Sequence, residues 1–379
     1  MGTVKVRQID TENPKDVKAF IKFHFDLYKD VPQWTPPFIS DLKHTLNRKK
    51  HPFYEHSDAD FFLAERDGEV VGRIAALENK RFNEYHGTKQ ASFYFFDTIE
   101  DIEVAKALFA RVEEWAHKRG LNALVGPKGF SPFDGYGIQI EGFEHHQMMN
   151  MMNYNFPYYP KFMEEMGFEK EVDFVSTYIH VPDYKLPDRI RRIARKVQER
   201  GTFRVHTFSS VGEIRRWADK IGRTYNDTFV NNWEYYPLTQ NEIKFVVDTL
   251  VLVAVPRYIK VILNKDEDVI GFLFGFPDVS PAMKRAKGHL YPWNIVDLLW
   301  TRSHTNWISL NGAGVLPKYH GRGANVLLYD EMYKTVASEN RYEHGELTQV
   351  AETAVQMRRD LKNVGAKEYK NHRVFRKEI

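Results

Sequence analysis

The chain has 379 residues, 42% hydrophobic and 28% charged, so its length predicts roughly two to three domains and its composition excludes a disordered or fibrous protein. It contains no cysteine, which excludes disulfides, thiol nucleophiles and cysteine-ligated metal centres. The 54 basic and 51 acidic residues leave a net charge of +3, so no overall field favours nucleic acid as a partner.

The N-terminus and the most apolar run of the chain predict a cytoplasmic protein. The opening sequence MGTVKVRQID lacks the apolar core of a signal peptide. The most apolar run, 245–263, is interrupted by charged residues and a proline, so we expect no membrane span.

Two parts of the chain resemble each other at nearly the same offset. Gly72 and Gly271 occupy matching positions in two hairpin-like stretches, 199 residues apart. Gly167 and Gly365, each placed to end a helix before a strand, are 198 residues apart. Two anchors at nearly one offset predict a duplicated domain, with two unrelated hairpins as the alternative.

Each half is predicted to follow one order of elements. In the first half we expect a strand at 4–9, a helix at 14–28, a strand at 91–96, a helix at 102–119 and a strand at 123–126. In the second half we expect a strand at 203–208, a helix at 211–225, a strand at 307–315, a helix at 323–338 and a strand at 346–350. This order predicts an α/β fold in which helices cover a mixed sheet.

A basic amphipathic helix is predicted at 186–200, between the halves. Ile190, Ile193, Ala194 and Val197 share one face, and six cations cover the rest. It is either a solvated linker helix packed by its apolar stripe or a contact for anionic lipid headgroups or a phosphate-bearing ligand. The predicted boundaries are a first domain at 1–183, this linker at 184–202 and a second domain at 203–379.

A glycine-rich loop at 318–324 joins an apolar strand to a helix. Glycines allow close approach of the backbone, several N–H groups can then point at one anion, and the helix N-terminus adds partial positive charge. Lys318, His320 and Arg322 supply side-chain cations. The loop therefore predicts a phosphate site, although it matches neither a Walker loop nor a dinucleotide fingerprint.

This arrangement resembles the GNAT N-acetyltransferase superfamily, whose hallmark is Arg/Gln-x-x-Gly-x-Gly/Ala. The chain reads Lys318-x-x-Gly321-x-Gly323, and the lysine departs from the pattern. The resemblance implies that the loop binds the pyrophosphate of a coenzyme A thioester, a co-substrate, while strand 311–315 bonds the pantetheine arm and strand 346–350 splays away. The implied coenzyme A contacts are Gly314, Val315, Leu316, Lys318, His320, Gly321, Arg322, Gly323, Ala324 and Asn325.

The first half has the same layout without a glycine loop. Asp97, Glu100 and Asp101 lie where a pyrophosphate would bind, so we expect no coenzyme A there. Such a tandem GNAT chain resembles Fem-type transferases. The runs WTPPF, GPKGFSPFDGYGIQIEGFE and MMNYNFPYYPKFMEEMGF resemble more closely a group of bacterial tandem GNAT N-acyltransferases related to bacterial ceramide synthases.

The insertion 126–159 is long for a loop and rich in aromatic and polar residues. We expect it to line the acceptor cleft between the halves. The candidate substrate-binding residues are His145, Tyr154, Asn155 and Tyr158. Met148, Met149, Met151 and Met152 either form an apolar wall for an acyl chain or fill a core. The pair His145–His146 lacks a third ligand, so we expect no metal site.

Transfer from a thioester to an amine requires a base that removes the proton of the amine. The candidate carboxylates are Asp134, Glu141, Glu346 and Glu352. Of these, Glu352 precedes a helix close to the expected thioester position. The last helix of the second half has no tyrosine to protonate the leaving thiolate, so we expect that Tyr329 or water does so, or that no specific acid is needed.

The resemblance predicts an acyl-CoA-dependent N-acyltransferase with a lipid-type amine as the preferred acceptor and a peripheral membrane contact through the basic helix. Two other functions stay open. One is a coenzyme A-binding regulatory protein without catalysis, because a fold does not fix a function. The other is an aminoacyl transferase that uses charged tRNA, against which the low net charge argues weakly.

Overall fold

A computed structural model describes residues 2–230, 232–233, 235–250 and 252–379. The strands are β1 (Lys5–Gln8), β2 (Asp58–Arg66), β3 (Glu69–Glu78), β4 (Gln90–Thr98), β5 (Ala123–Gly126), β6 (Ile138–Glu141), β7 (Glu169–His180), β8 (Arg204–Thr207), β9 (Ile259–Leu263), β10 (Val269–Pro277), β11 (Trp307–Val315), β12 (His344–Ala351) and β13 (Lys367–Glu378). The helices are α1 (Pro14–Tyr28), α2 (Ile39–Leu46), α3 (Lys80–His86), α4 (Ile102–His117), α5 (Tyr159–Glu165), α6 (Asp188–Glu199), α7 (Val211–Thr228), α8 (Gln240–Leu250), α9 (Ser280–Ala286), α10 (Pro292–His304), α11 (Ala324–Ser338) and α12 (Val355–Asn363). Among the described residues, no helix is long and apolar enough to cross a bilayer.

The chain forms two compact units, and neither is a continuous segment. The first unit holds 1–175, 280–295 and 370–379, and the second holds 176–279 and 296–369. Two segments that the sequence-based division placed in the second domain, 280–295 and 370–379, thus belong to the first compact unit. The predicted domain boundaries of the duplicated halves stay predictions.

The first unit is built on a sheet with the order β1-β2-β3-β4-β5-β13-β7, in which residues of β13 from 370 onward pair with β5. Alternate residues of β2 face opposite sides of the sheet. Phe62 packs beneath α4, while Phe61 packs against Phe20 of α1. Both faces are therefore covered by helices, as the sequence predicts.

The second unit repeats this plan with the order β7-β12-β11-β10-β9-β8, to which β7 contributes residues from 176 onward. α11 packs its apolar face on the sheet through Leu327 and Leu328. The predicted basic helix forms as α6, and it buries Ala194 and Val197 in the same core. The apolar stripe of α6 is thus taken up by packing, and its cations remain on the outside.

The two units share an irregularity as well as an order of elements. Gly72 pairs with Thr98 in the first unit, and Gly271 pairs with Val315 in the second. In both, the register shifts two to three residues later, between Arg73 and Ala75 and between Leu273 and Gly275. A shared bulge at matching positions supports the duplication read from the sequence. The fold is the expected α/β arrangement of a mixed sheet between helices.

Candidate functional site

The second unit has an opening in its sheet between two parallel strands. β11 and β12 pair over four residues, from Trp307 with His344 to Leu310 with Leu347. Both strands continue beyond that point, to Val315 and Ala351, without further pairing in the described register. The remaining halves of the two strands therefore leave backbone groups at the opening that a bound ligand can use.

A bulge in β11 lies directly at this opening. Leu273 of β10 pairs with Ala313 of β11, and Gly275 pairs with Leu310. Two residues of β11, Asn311 and Gly312, therefore lie opposite one residue of β10. Gly312 has φ +83°, in the left-handed region, and Gln349 of β12 has φ +59°. The Asn311 amide donates to the Gln349 side-chain oxygen across the opening at 2.9 Å. Backbone strain of this kind concentrates at binding and catalytic sites.

The glycine loop continues from the end of β11. The Leu316 N–H donates to the Ile270 carbonyl at 2.8 Å, which ties the start of the loop to β10. The His320 ring nitrogen lies 2.7 Å from the Val315 carbonyl oxygen, so this side chain closes the loop. The Lys318 and Arg322 cations lie 5.2 and 5.7 Å from the centroid of the Tyr319 ring. Cations are thus held at the loop rim.

The N-terminus of α11 has no capping side chain. Gly323 is its N-cap residue, with φ +86°, and provides no capping side chain. The first N–H groups of any helix lack partners within it, so those of Ala324 and Asn325 point out of the helix end. A Cβ at Gly323 would lie 2.6 Å from the Val197 side chain of α6, which explains the need for glycine. The strand, glycine loop and helix thus follow one another as predicted, and phosphate binding by the loop stays a prediction.

An apolar cavity of about 90 Å³ lies on the α11 side of the opening. The strands contribute Ile308, Leu310, Gly345 and Leu347, and α11 contributes the side chains from Tyr329 to Ala337. The lining positions on α11, Tyr329 to Ala337, span eight residues, or about 12 Å along the helix axis. The sequence reasoning missed this cavity because its lining residues are scattered and each has the ordinary pattern of a core residue.

A buried carboxylate lies on the opposite face of the same strand. Gly345 and Leu347 face the cavity, so Glu346 between them points away from it. Glu346 is 1% exposed and accepts a hydrogen bond from the Tyr369 hydroxyl at 2.5 Å. Burial and the neighbouring Glu346 charge raise the pKa of Tyr369 well above its ordinary value, so this phenol stays protonated as a donor.

The other catalytic candidates of the second unit lie apart from this carboxylate. The Tyr329 hydroxyl donates to the Asp360 carboxylate at 3.2 Å, and burial together with that charge raises the pKa of Tyr329 far above its ordinary value. Such a phenol is a weak acid for protonating a thiolate. Asn325 donates to the same carboxylate at 2.8 Å. Glu352 is half-buried in the turn between β12 and α12.

The candidates of the first unit mainly support its backbone. Asp134 accepts from the Phe130 and Ser131 N–H groups at 2.6 and 2.9 Å, and burial raises the pKa of Asp134 to about 6. Glu141 is exposed at the end of β6. The buried Asn155 amide is occupied by Gln139 backbone groups. Their roles in catalysis or substrate binding stay predictions.

Other residues of the predicted acceptor insertion also make their contacts within the first unit. The Tyr158 hydroxyl donates to the Thr98 carbonyl at 2.6 Å, and Tyr154 contacts the ring of Tyr28. His145 lies beside Glu144 at 3.3 Å. Three of the four methionines, Met148, Met149 and Met152, are buried, which favours core filling over an acyl wall. In the described part of the chain, no cluster of three or more histidine, aspartate or glutamate residues could hold a metal ion.

The matching end of β4 in the first unit is closed to an anion. Asp101 is the N-cap of α4, and its own carboxylate accepts from the Glu103 N–H at 2.9 Å. Asp97 points into the core, where it accepts from Arg73 at 2.7 Å. The sequence placed Asp97, Glu100 and Asp101 at a would-be phosphate position; Glu100 and Asp101 lie at the start of α4, whereas Asp97 does not. A carboxylate at this helix end repels a pyrophosphate.

The chain is similar to two known proteins over nearly its whole length. The chain is 27% identical over 372 residues to Protein YghO from Escherichia coli, covering 97% of this chain and 94% of that protein. It is 26% identical over 381 residues to a protein named bacterial ceramide synthase from Caulobacter vibrioides, covering 98% of this chain and 97% of that protein. No protein-family model matches the chain.

The fold is that of a solved tandem GNAT protein from the clavulanic acid biosynthesis pathway. The two structures align with a TM-score of 0.56 over 99% of this chain and 98% of that chain, at 11% identity. The predicted tandem GNAT fold is therefore confirmed. This fold, together with the similarity to a protein named as a ceramide synthase, supports the prediction of an N-acyltransferase.

Proposed function

We propose that this tandem GNAT-fold protein is an N-acyltransferase that takes its acyl group from a coenzyme A thioester bound in the second unit. The observation that carries the proposal is the opening between β11 and β12, which leads directly to an uncapped helix N-terminus behind a glycine loop. A ligand with an extended arm and a phosphate group would match both features, the arm in the opening and the phosphate group at the helix N-terminus.

In this proposal the donor is held mainly by backbone groups. The pyrophosphate lies against the first turn of α11, and Lys318 and Arg322 add charge at the rim. The pantetheine arm pairs with the second half of β11, as a strand pairs with an open sheet edge. The bulge at Asn311 and Gly312 releases backbone groups near the point where the thioester would lie.

The apolar cavity supports an acyl group longer than acetyl. It begins at the last strand pair before the opening, Leu310 with Leu347, and follows α11 away from the glycine loop. Its lining is almost entirely apolar, so burial of methylene groups there contributes about 0.8 kcal/mol each. The lining positions of α11 extend about 12 Å along the helix axis, several times the reach of an acetyl group.

Glu346 is the general base in this proposal. It lies one residue, about 3.3 Å along the strand, before the end of the pairing between β11 and β12. The amine nitrogen attacks the thioester carbonyl carbon, the C–N bond forms, and the C–S bond breaks with departure of the thiolate. The proton of the amine passes to the Glu346 carboxylate directly or through water.

The acceptor proposed is an amine with a long alkyl chain. Two observations support this choice: similarity over nearly the whole chain to a protein named bacterial ceramide synthase, and an apolar cavity in the unit that carries the donor loop. A donor and an acceptor that are both apolar would need their polar reacting groups fixed by the strand backbone and by Glu346.

The test compares Gly321→Asp with Gly321→Asn in calorimetric titrations with coenzyme A. Gly321 has φ +72° and open space around its Cβ position, and both asparagine and aspartate tolerate the left-handed region. The two side chains have one shape and differ in charge. Since a carboxylate repels the pyrophosphate, we expect Gly321→Asp to weaken binding by at least about tenfold more than Gly321→Asn.

Turnover is then measured with octanoyl- and palmitoyl-CoA and with long-chain amines. Formation of the amide by the wild type, lost in Gly321→Asp, supports the proposal. Binding of coenzyme A without transfer to any amine would favour a regulatory protein instead. Absence of binding to the wild type would overturn the donor assignment and favour transfer from charged tRNA.

A further inference from the structure

The outer side of α6 carries a dense set of cations. The lysines and arginines between 188 and 200 are Arg189, Arg191, Arg192, Arg195, Lys196 and Arg200, and the carboxylates are Asp188 and Glu199. All six cations are exposed. Like charges four residues apart on a helix repel each other, as Lys196 does with both Arg192 and Arg200. Binding of an anion relieves this repulsion, so the charge pattern favours an anionic ligand.

Packing places one edge of α6 against the first turn of α11. A Cβ at Gly323, the N-cap residue of α11, would lie 2.6 Å from the Val197 side chain and 3.5 Å from that of Ile193. Val197 also shares a buried core with Ala324, the first residue of α11. This edge of α6 therefore borders the helix end that is proposed above to hold the pyrophosphate.

Three cations flank that edge of α6. Residues three or four positions apart are neighbours on a helix surface, with Cβ atoms about 5–6 Å apart. Arg189 and Lys196 are such neighbours of Ile193. Arg200 is such a neighbour of Val197. These long side chains start one helical turn or less from residues that contact the start of α11, so their charges can reach a ligand bound there.

The charges of these three flanking cations are available to a ligand. Within the part of the chain that the structure describes, Arg191 of α6 pairs with Asp188, whereas the flanking cations take no part in an ion pair. The glycine loop itself already contributes Lys318 and Arg322 beside the proposed pyrophosphate position. Additional cations next to that position favour a ligand with a further phosphate group.

We propose, on the basis of the donor site proposed above, that Lys196 and Arg200, with Arg189 beside them, bind the 3′-phosphate of the coenzyme A thioester. This group is a phosphate monoester on the ribose, and such a monoester carries a charge of about −1.5 to −2 at pH 7. Ammonium and guanidinium groups form charge-assisted hydrogen bonds to its oxygens. α6 thus selects coenzyme A over dephospho-coenzyme A, while the pyrophosphate contacts of α11 are common to both.

Calorimetric titrations of the full-length protein with coenzyme A and with dephospho-coenzyme A measure this selection. We expect the wild type to bind dephospho-coenzyme A about tenfold more weakly, and the difference to shrink as salt is raised, because exposed ion pairs are screened. Lys196→Gln combined with Arg200→Gln should weaken binding of coenzyme A about tenfold and change binding of dephospho-coenzyme A little.

Arg191→Gln combined with Arg195→Gln is the matched control. It removes the same charge from the same helix, at positions turned away from Ile193 and Val197 by the helical period. The control variant should keep the ratio of affinities for the two ligands that the wild type has. The melting temperatures of both variants should agree with that of the wild type, because all the substituted side chains are exposed.

The wild-type titrations distinguish failure of this assignment from failure of the donor site. Equal affinity for the two ligands would overturn the role of α6 and leave the donor site intact, whereas absence of binding to both would overturn the donor site as well. An equal loss of both ligands in Lys196→Gln with Arg200→Gln, or the same loss of coenzyme A binding in the control variant, would also overturn the assignment.

Sedimentation with phosphatidylglycerol vesicles tests a lipid surface as the source of the anion. Binding of the wild type to these vesicles that is lost in Lys196→Gln with Arg200→Gln, together with an unchanged affinity of that variant for coenzyme A, would assign α6 to lipid headgroups and overturn the proposal. Loss of coenzyme A affinity in that variant, without a change in vesicle binding, would support it.

Discussion

Buried carboxylates in this protein differ in what surrounds them. Asp97 accepts from Arg73, His24 and Tyr28 in the first unit. Burial alone would raise the pKa of Asp97, yet the charges of His24 and Arg73 hold it well below its ordinary value. Such a carboxylate is paired with the Arg73 guanidinium and serves the core. Glu346 lies beside a phenol at the opening of the sheet, where a reacting amine can reach it in the proposed function.

We expect Glu346→Gln to lower kcat for amide formation by at least about a hundredfold, a typical contribution of a general base. The glutamine can still accept from Tyr369, so the affinity for coenzyme A measured by calorimetry should not change. Glu352→Gln is the matched control, because Glu352 was the other carboxylate predicted near the thioester. A larger loss of turnover in Glu352→Gln than in Glu346→Gln would reverse the assignment.

The buried carboxyl group of Asp134 predicts how the free energy of unfolding changes with pH. Its folded-state pKa of about 6 lies above the ordinary value of an aspartate, so protonation favours the folded state. The stabilising contribution is complete below about pH 4 and is lost as pH rises through 6. Asp134→Asn keeps an oxygen that accepts from the Phe130 and Ser131 N–H groups. It should therefore be more stable than the wild type at pH 8, by on the order of 1 kcal/mol, and nearly equal to it at pH 4.

Urea unfolding at the two pH values measures this difference. Asp219→Asn, an exposed aspartate on α7, should change stability little at either pH. An Asp134→Asn protein that is less stable than the wild type at pH 8 would mean that its ionised carboxylate strengthens the turn more than burial weakens it.

At the scale of elements, helices and strands that depend on local residue patterns can be predicted from the sequence. The helix predicted at 14–28 is α1, and the strand predicted at 307–315 is β11. The helices at 280–304 carry no repeat signal, so comparison of the halves could not predict them. The opening between β11 and β12 was implied only by resemblance, because the length of a strand pairing depends on distant residues.

The cavity along α11 gives a prediction at the same scale. Gly345 of β12 lines it, and a Cβ there would meet Val181 at 3.6 Å, an ordinary contact. Gly345→Ala should therefore be tolerated, whereas Gly345→Ile should fill the cavity. We expect Gly345→Ile to lose at least about tenfold in affinity for palmitoyl-CoA while its affinity for acetyl-CoA stays that of the wild type.

Calorimetry with acetyl-, octanoyl- and palmitoyl-CoA tests this without an acceptor. Gly345→Ala should retain the chain-length dependence of the wild type. If affinity in the wild type does not rise with chain length, the cavity does not hold the acyl group, although coenzyme A binding itself would still support the donor site.

At the scale of the whole molecule, two copies of one fold have diverged at a few positions. The bulge of β11 contains Gly312, whereas the matching bulge of β4 contains Phe95, which packs beside Arg73 and Phe20. α11 begins with an uncapped glycine, whereas α4 begins with Asp101. The sequence predicted that the first half lacks the glycine loop. It could not predict that residues 370–379 join the first unit, because strand partners distant in the chain leave no local pattern.

This divergence predicts that each chain binds one coenzyme A molecule. Asp101 fills the N-terminus of α4 with its own carboxylate and pairs with Arg66 at 2.7 Å, which leaves no place for a pyrophosphate. Calorimetric titration of the wild type should give a stoichiometry of one. Gly321→Asp should weaken binding at this single site by at least about tenfold, and Asp101→Ser, which keeps a capping oxygen without the charge, should still bind one molecule with the affinity of the wild type. Two molecules per chain, or binding retained in Gly321→Asp but lost in Asp101→Ser, would mean that the first unit holds a donor site of its own.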